Sequence, residues 1–225
     1  MKILITGASK GIGLAIAKKY IALGYDVINI DILDSKEVNT YVCDITDSEK
    51  LNEIAKKVGK LDILICNAGV QIVKPLEDVT PNEFKKIVDI NLCGTFNTIN
   101  AFMNNIVDGG HILNVTSVHG EVPRLDKFSY DASKAGINML TKEVALALAP
   151  RKVHVNALAI GATNTPMNED LMNDKEMLEK AIQKIPFGRI AEPEEVAEAV
   201  VRLLDKAFDY MTGSIITFDG GRSLN

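Results

Sequence analysis

The stretch SYDASKAG, residues 129–136, holds a tyrosine and a lysine four positions apart. On a helix that spacing places Tyr130 and Lys134 on one face, a turn apart. A phenol, with a pKa near ~10, is a poor base at neutral pH. An ammonium group beside it favours the phenolate. A tyrosine tuned in this way can take a proton from a hydroxyl or return one to a carbonyl oxygen. Ser117 closes the β-branched run HILNVTS, residues 111–117. Ligands bind at the C-terminal ends of strands in open α/β sheets, and a tyrosine a few residues into the next helix reaches the same crevice.

A second stretch, TGASKGIG at residues 6–13, suits a phosphate-bearing ligand. Gly7, Gly11 and Gly13 follow an apolar run and open a helical one. Glycine permits the tight turn and the close backbone approach, and the free N–H groups of a helix N-terminus face the pyrophosphate. Asp31 ends the next strand, 24 positions after Gly7, near the spacing of a carboxylate that holds an adenosine ribose. Such a carboxylate accepts from the 2′- and 3′-hydroxyls and repels a 2′-phosphate, which favours NAD over NADP. Lys10, inside the turn, pulls toward the phosphate. Asp31 is expected to prevail because it would touch the ribose directly.

These groups need a frame. Short β-branched runs at 2–6, 26–31, 39–44, 61–69, 111–117, 153–159 and 214–219 read as strands. Helical periodicity covers 13–24, 48–59 with Ser48 as N-cap, about 80–106, 127–149 and 193–206. Alternation of this kind predicts an α/β chain: one Rossmann-type, doubly wound domain over 1–225, with a mostly parallel seven-stranded sheet and helices on both faces. Residues 32–38 are too few for a crossover helix. Residues 162–192 read as an excursion after a strand end, with a helical core (EDLMNDKEMLEKAIQK) between Pro166 and Pro186. It is expected to act as a substrate lid.

Composition narrows the setting. With 47% apolar and 24% charged residues, the 225-residue chain has an ordinary soluble make-up. A net charge of -5 gives no basic face for nucleic acid. Cys43, Cys66 and Cys93 form no CxxC pair, so neither a disulfide framework nor a metal site is expected. The N-terminal apolar run is too short for a signal peptide, and no stretch is long enough to span a bilayer. A cytoplasmic location without membrane partners is expected.

Together these motifs resemble the short-chain dehydrogenase/reductase family, in its compact single-domain branch. TGxxxGIG and YxxxK carry the likeness. CNAG (66–69) is similar to the family's NNAG turn, and NLCG (91–94) supplies its helix asparagine. NVTS (114–117) sets Ser117 thirteen residues before Tyr130, the family's usual separation. AIGATNTPM (159–167) resembles PGxxxTxM, and RIAEPEEVA (189–197) and TGSIITFDGG (212–221) match the closing segments. Cys66 stands where the family has asparagine, and Ile160 where it has proline.

The resemblance implies a catalytic set of Asn91, Ser117, Tyr130 and Lys134. In it Lys134 also bonds the nicotinamide ribose, Ser117 orients the substrate oxygen and Asn91 holds a water that drains the proton. It implies cofactor contacts from Gly7, Ser9, Lys10, Gly11, Ile12 and Gly13 in the turn, and from Asp31 at the ribose. Cys43, Asp44 and Ile45 would lie beside adenine. Asn67, Ala68 and Gly69 would line the central region, with Tyr130, Lys134, Ile160, Gly161, Thr163 and Thr165 at the nicotinamide end. Substrate contacts are expected from Ser117, Tyr130 and His119. For His119 a polar wall of the pocket and a solvated loop residue both fit the sequence.

The expected function is NAD-dependent interconversion of a secondary alcohol with a ketone or aldehyde, the substrate being of polyol, sugar or hydroxy-acid type. A 3-oxoacyl-acyl-carrier-protein reductase using NADPH shares these motifs. A sugar-nucleotide epimerase would belong to a longer branch, and a non-catalytic dinucleotide sensor would be expected to lack the tyrosine or lysine. Members of the family commonly assemble, so a homotetramer or homodimer through helices at about 91–106 and 130–149 is expected.

Overall fold

The run KILIT forms β1 (Lys2–Thr6), an interior strand of the sheet. Its side chains alternate. Ile3 and Ile5 enter the hydrophobic layer on one face, while Leu4 enters the layer on the other. A strand covered on both sides must be apolar along its interior, and here Ile3, Leu4 and Ile5 supply that run between Lys2 and Thr6. The computed structural model describes residues 1–205 and 208–224. Its other strands are β2 (Asp26–Asp31), β3 (Asn39–Val42), β4 (Leu61–Cys66), β5 (Ile106–Ser117), β6 (His154–Ile160) and β7 (Ile215–Phe218). They form one seven-stranded sheet, in the order β3-β2-β1-β4-β5-β6-β7, with every pairing parallel. The order turns back between β1 and β4, which opens a crevice at their C-terminal ends.

Among the described residues there are eight α-helices: α1 (Gly11–Ala22), α2 (Ser48–Val58), α3 (Pro81–Val88), α4 (Gly94–Phe102), α5 (Phe128–Leu148), α6 (Glu169–Asn173), α7 (Lys175–Gln183) and α8 (Pro193–Leu203). The crossover from β2 to β3 carries no helix, as its length required.

Three local expectations are corrected. Ser48 is the first residue of α2 and not its cap; Asp47 is the cap, and its carboxylate accepts the Lys50 N–H at 3.0 Å. The single helix expected over 80–106 is broken by a π-turn at Asp89–Cys93 and ends at Phe102, and β5 starts at Ile106. Thr95 and Thr98 turn their hydroxyls back on the carbonyls of Asn91 and Gly94, at 2.7 and 2.8 Å, a bond that tends to bend helices. The excursion's helical core is split at Asp174, whose extended backbone ends α6 and whose side chain caps α7 through the Met177 N–H at 3.0 Å. The helix expected over 193–206 ends at Leu203, and Lys206 lies outside the described residues. None of the described helices is long and apolar enough to cross a membrane.

Candidate active site

The turn after β1 is shaped by contacts that leave no room for side chains. A Cβ on Gly13 would sit 2.2 Å from the Gly7 carbonyl oxygen, and one on Gly7 would sit 2.8 Å from Ala68 Cα. Gly7 also has φ +72°, a conformation open mainly to glycine. α1 then starts with no side-chain cap and no acid in its first turn. Its first N–H groups therefore lack protein partners and suit an anion. Asn29, fully buried on β2, pins the turn. Its Oδ1 accepts the Ala8 N–H at 2.9 Å, and its Nδ2 donates to Ser9 Oγ and Thr40 Oγ1, both at 3.0 Å. Asp31 accepts the Ser9 and Leu33 N–H groups at 3.1 Å each. A carboxylate has further lone pairs for hydroxyls.

These groups open into a cleft of about 450 Å³ that runs from Asp31, Cys43, Asp44 and Ile45 past Asn67, Ala68 and Gly69 to Tyr130, Lys134 and Ile160. An elongated cleft with a carboxylate at one end and an uncapped helix at its middle fits a dinucleotide.

At the far end, α5 brings Tyr130 and Lys134 together as their spacing requires. The Lys134 ammonium lies 5.5 Å from the Tyr130 ring centroid and donates to the Val115 carbonyl at 3.0 Å. It is buried, and a Cβ on Gly69 would come within 3.7 Å of it. Burial pushes Lys134 down to about 8. Burial also pushes Tyr130 up to about 12, and the Ser117 hydroxyl, bonded to the phenol, opposes that rise. The net shift of Tyr130 is thus upward, opposite to the lowering expected from Lys134: loss of hydration outweighs the Ser117 bond, and the Asp131 charge adds to the rise. Tyr130 rests as a phenol.

Asn91 sits in the π-turn with no exposed surface. Its Oδ1 accepts the Val70 N–H at 2.9 Å, and its Nδ2 donates to the Val70 carbonyl at 2.9 Å and to Ser133 Oγ at 3.0 Å. Ser133 Oγ in turn donates to the Tyr130 carbonyl at 2.7 Å. Asn91 thereby joins the loop after β4 to the start of α5.

A second cavity of about 310 Å³ lies on the other side of Tyr130, between Ser117, His119 and the excursion that carries α6 and α7. His119 is half-buried and its Nδ1 is 3.0 Å from the Val122 carbonyl, which makes it the donor there. Burial holds its pKa below the ordinary value, so the ring is neutral at pH 7.

Comparisons with known proteins bear on this geometry. Residues 7–223 match the family model described as enoyl-(acyl carrier protein) reductase. The 3-oxoacyl-acyl-carrier-protein reductase FabG of Thermotoga maritima is 37% identical, over 97% of this chain and 96% of its own. The chain belongs to the short-chain dehydrogenase/reductase family. It is an oxidoreductase. The 3beta-hydroxysteroid dehydrogenase 1 of Eggerthella lenta is 32% identical over 99% of this chain and 93% of its own. The crystal structure of a gluconate 5-dehydrogenase from Burkholderia cenocepacia J2315, in complex with NADP and tartrate, superposes with a TM-score of 0.93 at 27% identity, covering 100% of this chain and 95% of that one.

Within this short-chain dehydrogenase/reductase, the site residues expected from sequence divide by position. Gly7, Lys10, Gly11, Ile12, Asp31, Cys43, Asp44, Ile45, Asn67, Ala68, Gly69, Tyr130, Lys134, Ile160 and Thr165 line the cleft. Gly161 and Thr163 line the second cavity, with Ser117 and His119. Ser9 and Gly13 line neither; Ser9 Oγ donates to the Leu33 carbonyl at 2.8 Å, and Gly13 is packed against Gly7. Sequence reasoning missed Asn29, Gln71 and Lys127. A polar residue inside the apolar run DVINID was the one available signal, and it pointed to Asn29.

Proposed function

We propose that this chain interconverts a secondary alcohol and its ketone by hydride transfer, with Tyr130 as the acid/base and NAD as the preferred dinucleotide. The observation that carries the reading is Tyr130 itself, which forms part of the wall of both cavities and bonds Ser117. A carbonyl in the smaller cavity would lie beside two hydroxyls. Ser117 would fix its oxygen and Tyr130 would deliver the proton. A buried phenol held near 12 is fully protonated at neutral pH, so the proton to be delivered is in place. In the oxidising direction the phenolate must form first, and Lys134 favours it. A nicotinamide at the inner end of the cleft would supply or accept the hydride. Asn91 acts here as a positioning residue, through Val70 and Ser133.

Asp31 supports the preference for NAD, since a 2′-phosphate beside it would meet a like charge. The excursion over 162–192 would close the smaller cavity as a lid. Phe96 on α4 and Met139 and Leu146 on α5 are 48%, 58% and 73% exposed, which supports self-assembly through those helices. A clean monomer mass by gel filtration would reject that. The three free cysteines are consistent with a reducing cytoplasm.

The test is a panel of polyols, sugars, hydroxy acids and acetoacetyl thioesters with NAD(H) and NADP(H), run on wild type and Tyr130→Phe. Turnover is expected to fall at least ~100-fold in the variant, with dinucleotide affinity retained. Near-normal turnover would sink the assignment. A higher kcat/KM with NADP would overturn the NAD preference. The 37% identity to a 3-oxoacyl reductase favours a second reading, and acetoacetyl thioesters reduced in preference to all else would select it.

A further inference from the structure

Lys127 is a buried cation that the proton chemistry above does not use. It is 5% exposed, and lysine is seldom so enclosed without a counter-charge. Its Nζ donates to the neutral Gln71 Oε1 at 2.6 Å and lies 5.2 Å from the centroid of the Tyr130 ring. Among the described residues no carboxylate pairs with it. Asp131, a turn further along α5, accepts the Arg124 backbone N–H at 2.8 Å instead. An ammonium has three donors, and Gln71 takes one.

The surroundings have the same sign. Among the described residues no aspartate or glutamate lines the smaller cavity, while Arg124, Lys127, Lys180, Lys184 and Arg222 do. Lys180 is exposed at the rim and paired with Glu176 at 2.6 Å, so its charge is largely spent. Burial, and then the Arg124 guanidinium, press Lys127 down to about 8 against a smaller opposing pull from the Asp131 carboxylate, which forms no ion pair with it. Enclosing a cation without a partner costs free energy. An anion entering the cavity would relieve both stresses. Gln71 holds the ammonium in place meanwhile, and its Nε2 donates to the Met167 carbonyl at 2.8 Å.

We infer that Lys127 and Gln71 form a carboxylate-binding subsite, and that the substrate is a short hydroxy acid or its keto acid. The inference rests on Tyr130 being the acid/base. The closeness of Lys127 to the Tyr130 ring sets the chain length: the carboxylate must stand only a few bonds from the reacting carbon. A cavity of about 310 Å³ also leaves little room for a long chain. Lys127 is then a specificity-determining residue. It acts on the substrate's far end and takes no part in the proton transfer.

The test compares 2-hydroxybutanoate, 3-hydroxybutanoate and tartrate with their methyl esters, and adds glycerol 3-phosphate, for wild type and Lys127→Met. Wild type is expected to favour at least one acid over its ester. In Lys127→Met the acid-to-ester ratio of kcat/KM should fall by about 10- to 100-fold, the usual scale for a hydrogen bond to a charged group, with the loss mainly in KM. Dinucleotide affinity, read by fluorescence, should stay the same and reports that the variant is folded. Equal use of acids and esters by wild type, or an unchanged ratio in the variant, would overturn the subsite. Preference for glycerol 3-phosphate would overturn the carboxylate assignment. Failure of wild type on every alcohol, with both dinucleotides, would instead remove the reading of Tyr130 as the acid/base for such alcohols.

Discussion

At the scale of single residues, the groups proposed to move protons stand in fixed local spacings that the sequence displays. Tyr130 and Lys134 lie a turn apart on one helix, and Ser117 ends the strand before it. The groups proposed to select the substrate do not. Lys127 meets Gln71 across 56 positions of sequence, a pairing no periodicity announces. Asn29 is similar, since its three bonds reach back 20 residues to the turn and forward 11 to β3. The glycine turn offers a clean test. Gly13→Ala puts a methyl group 2.2 Å from the Gly7 oxygen. Relieving that overlap must move the turn, so NADH is expected to bind about 10- to 100-fold more weakly by fluorescence titration. An unchanged affinity would show that the turn yields without harm.

At the scale of elements, types were predictable and breaks were not. Each strand was found within a few residues, since apolar runs flanked by glycine and polar residues are strong signals. The helix over 80–106 read as continuous because its apolar residues keep step across the π-turn. The π-turn is accompanied by back-bonds from Thr95 and Thr98, and these depend on rotamers. At its start, α3 is closed by a capping box: Thr80 Oγ1 accepts the Glu83 N–H at 3.2 Å, and Glu83 accepts the Thr80 N–H at 3.0 Å. Thr80→Ala should cost about 1 kcal/mol, measured as a shift in the urea midpoint. Since α3 leads into the turn that holds Asn91, the same variant should keep its kcat at low temperature and lose activity earlier on heating. A kcat loss in the cold would tie the cap to the site more directly.

For the whole molecule, two buried lysines give folding a pH dependence of definite sign. Lys127 and Lys134 are both held near 8 in the folded chain, against ~10.4 when unfolded. Between those values the unfolded chain binds more protons, so stability rises with pH through that window. Tyr20 and Tyr130 are raised by burial, so above their unfolded pKa of ~10 the folded chain binds more protons and stability falls. The buried thiols Cys66 and Cys43 are raised by burial as well, so above ~8.5 they oppose the lysines. The melting temperature should climb from pH 8 to a maximum at about 9 and then fall, and Lys134→Met should flatten the climb. A wild-type profile that only falls over this range would contradict the burial of both ammonium groups. The seam between the two cavities has a kinetic consequence. Gln71 and Met167 line both of them, and the bond from one to the other bridges the passage between. A small acid seated against Lys127 would therefore stand across the doorway to the inner end of the cleft. With that subsite filled, binding is expected to follow an order, the dinucleotide arriving before the acid and leaving after it; product-inhibition kinetics would read this order.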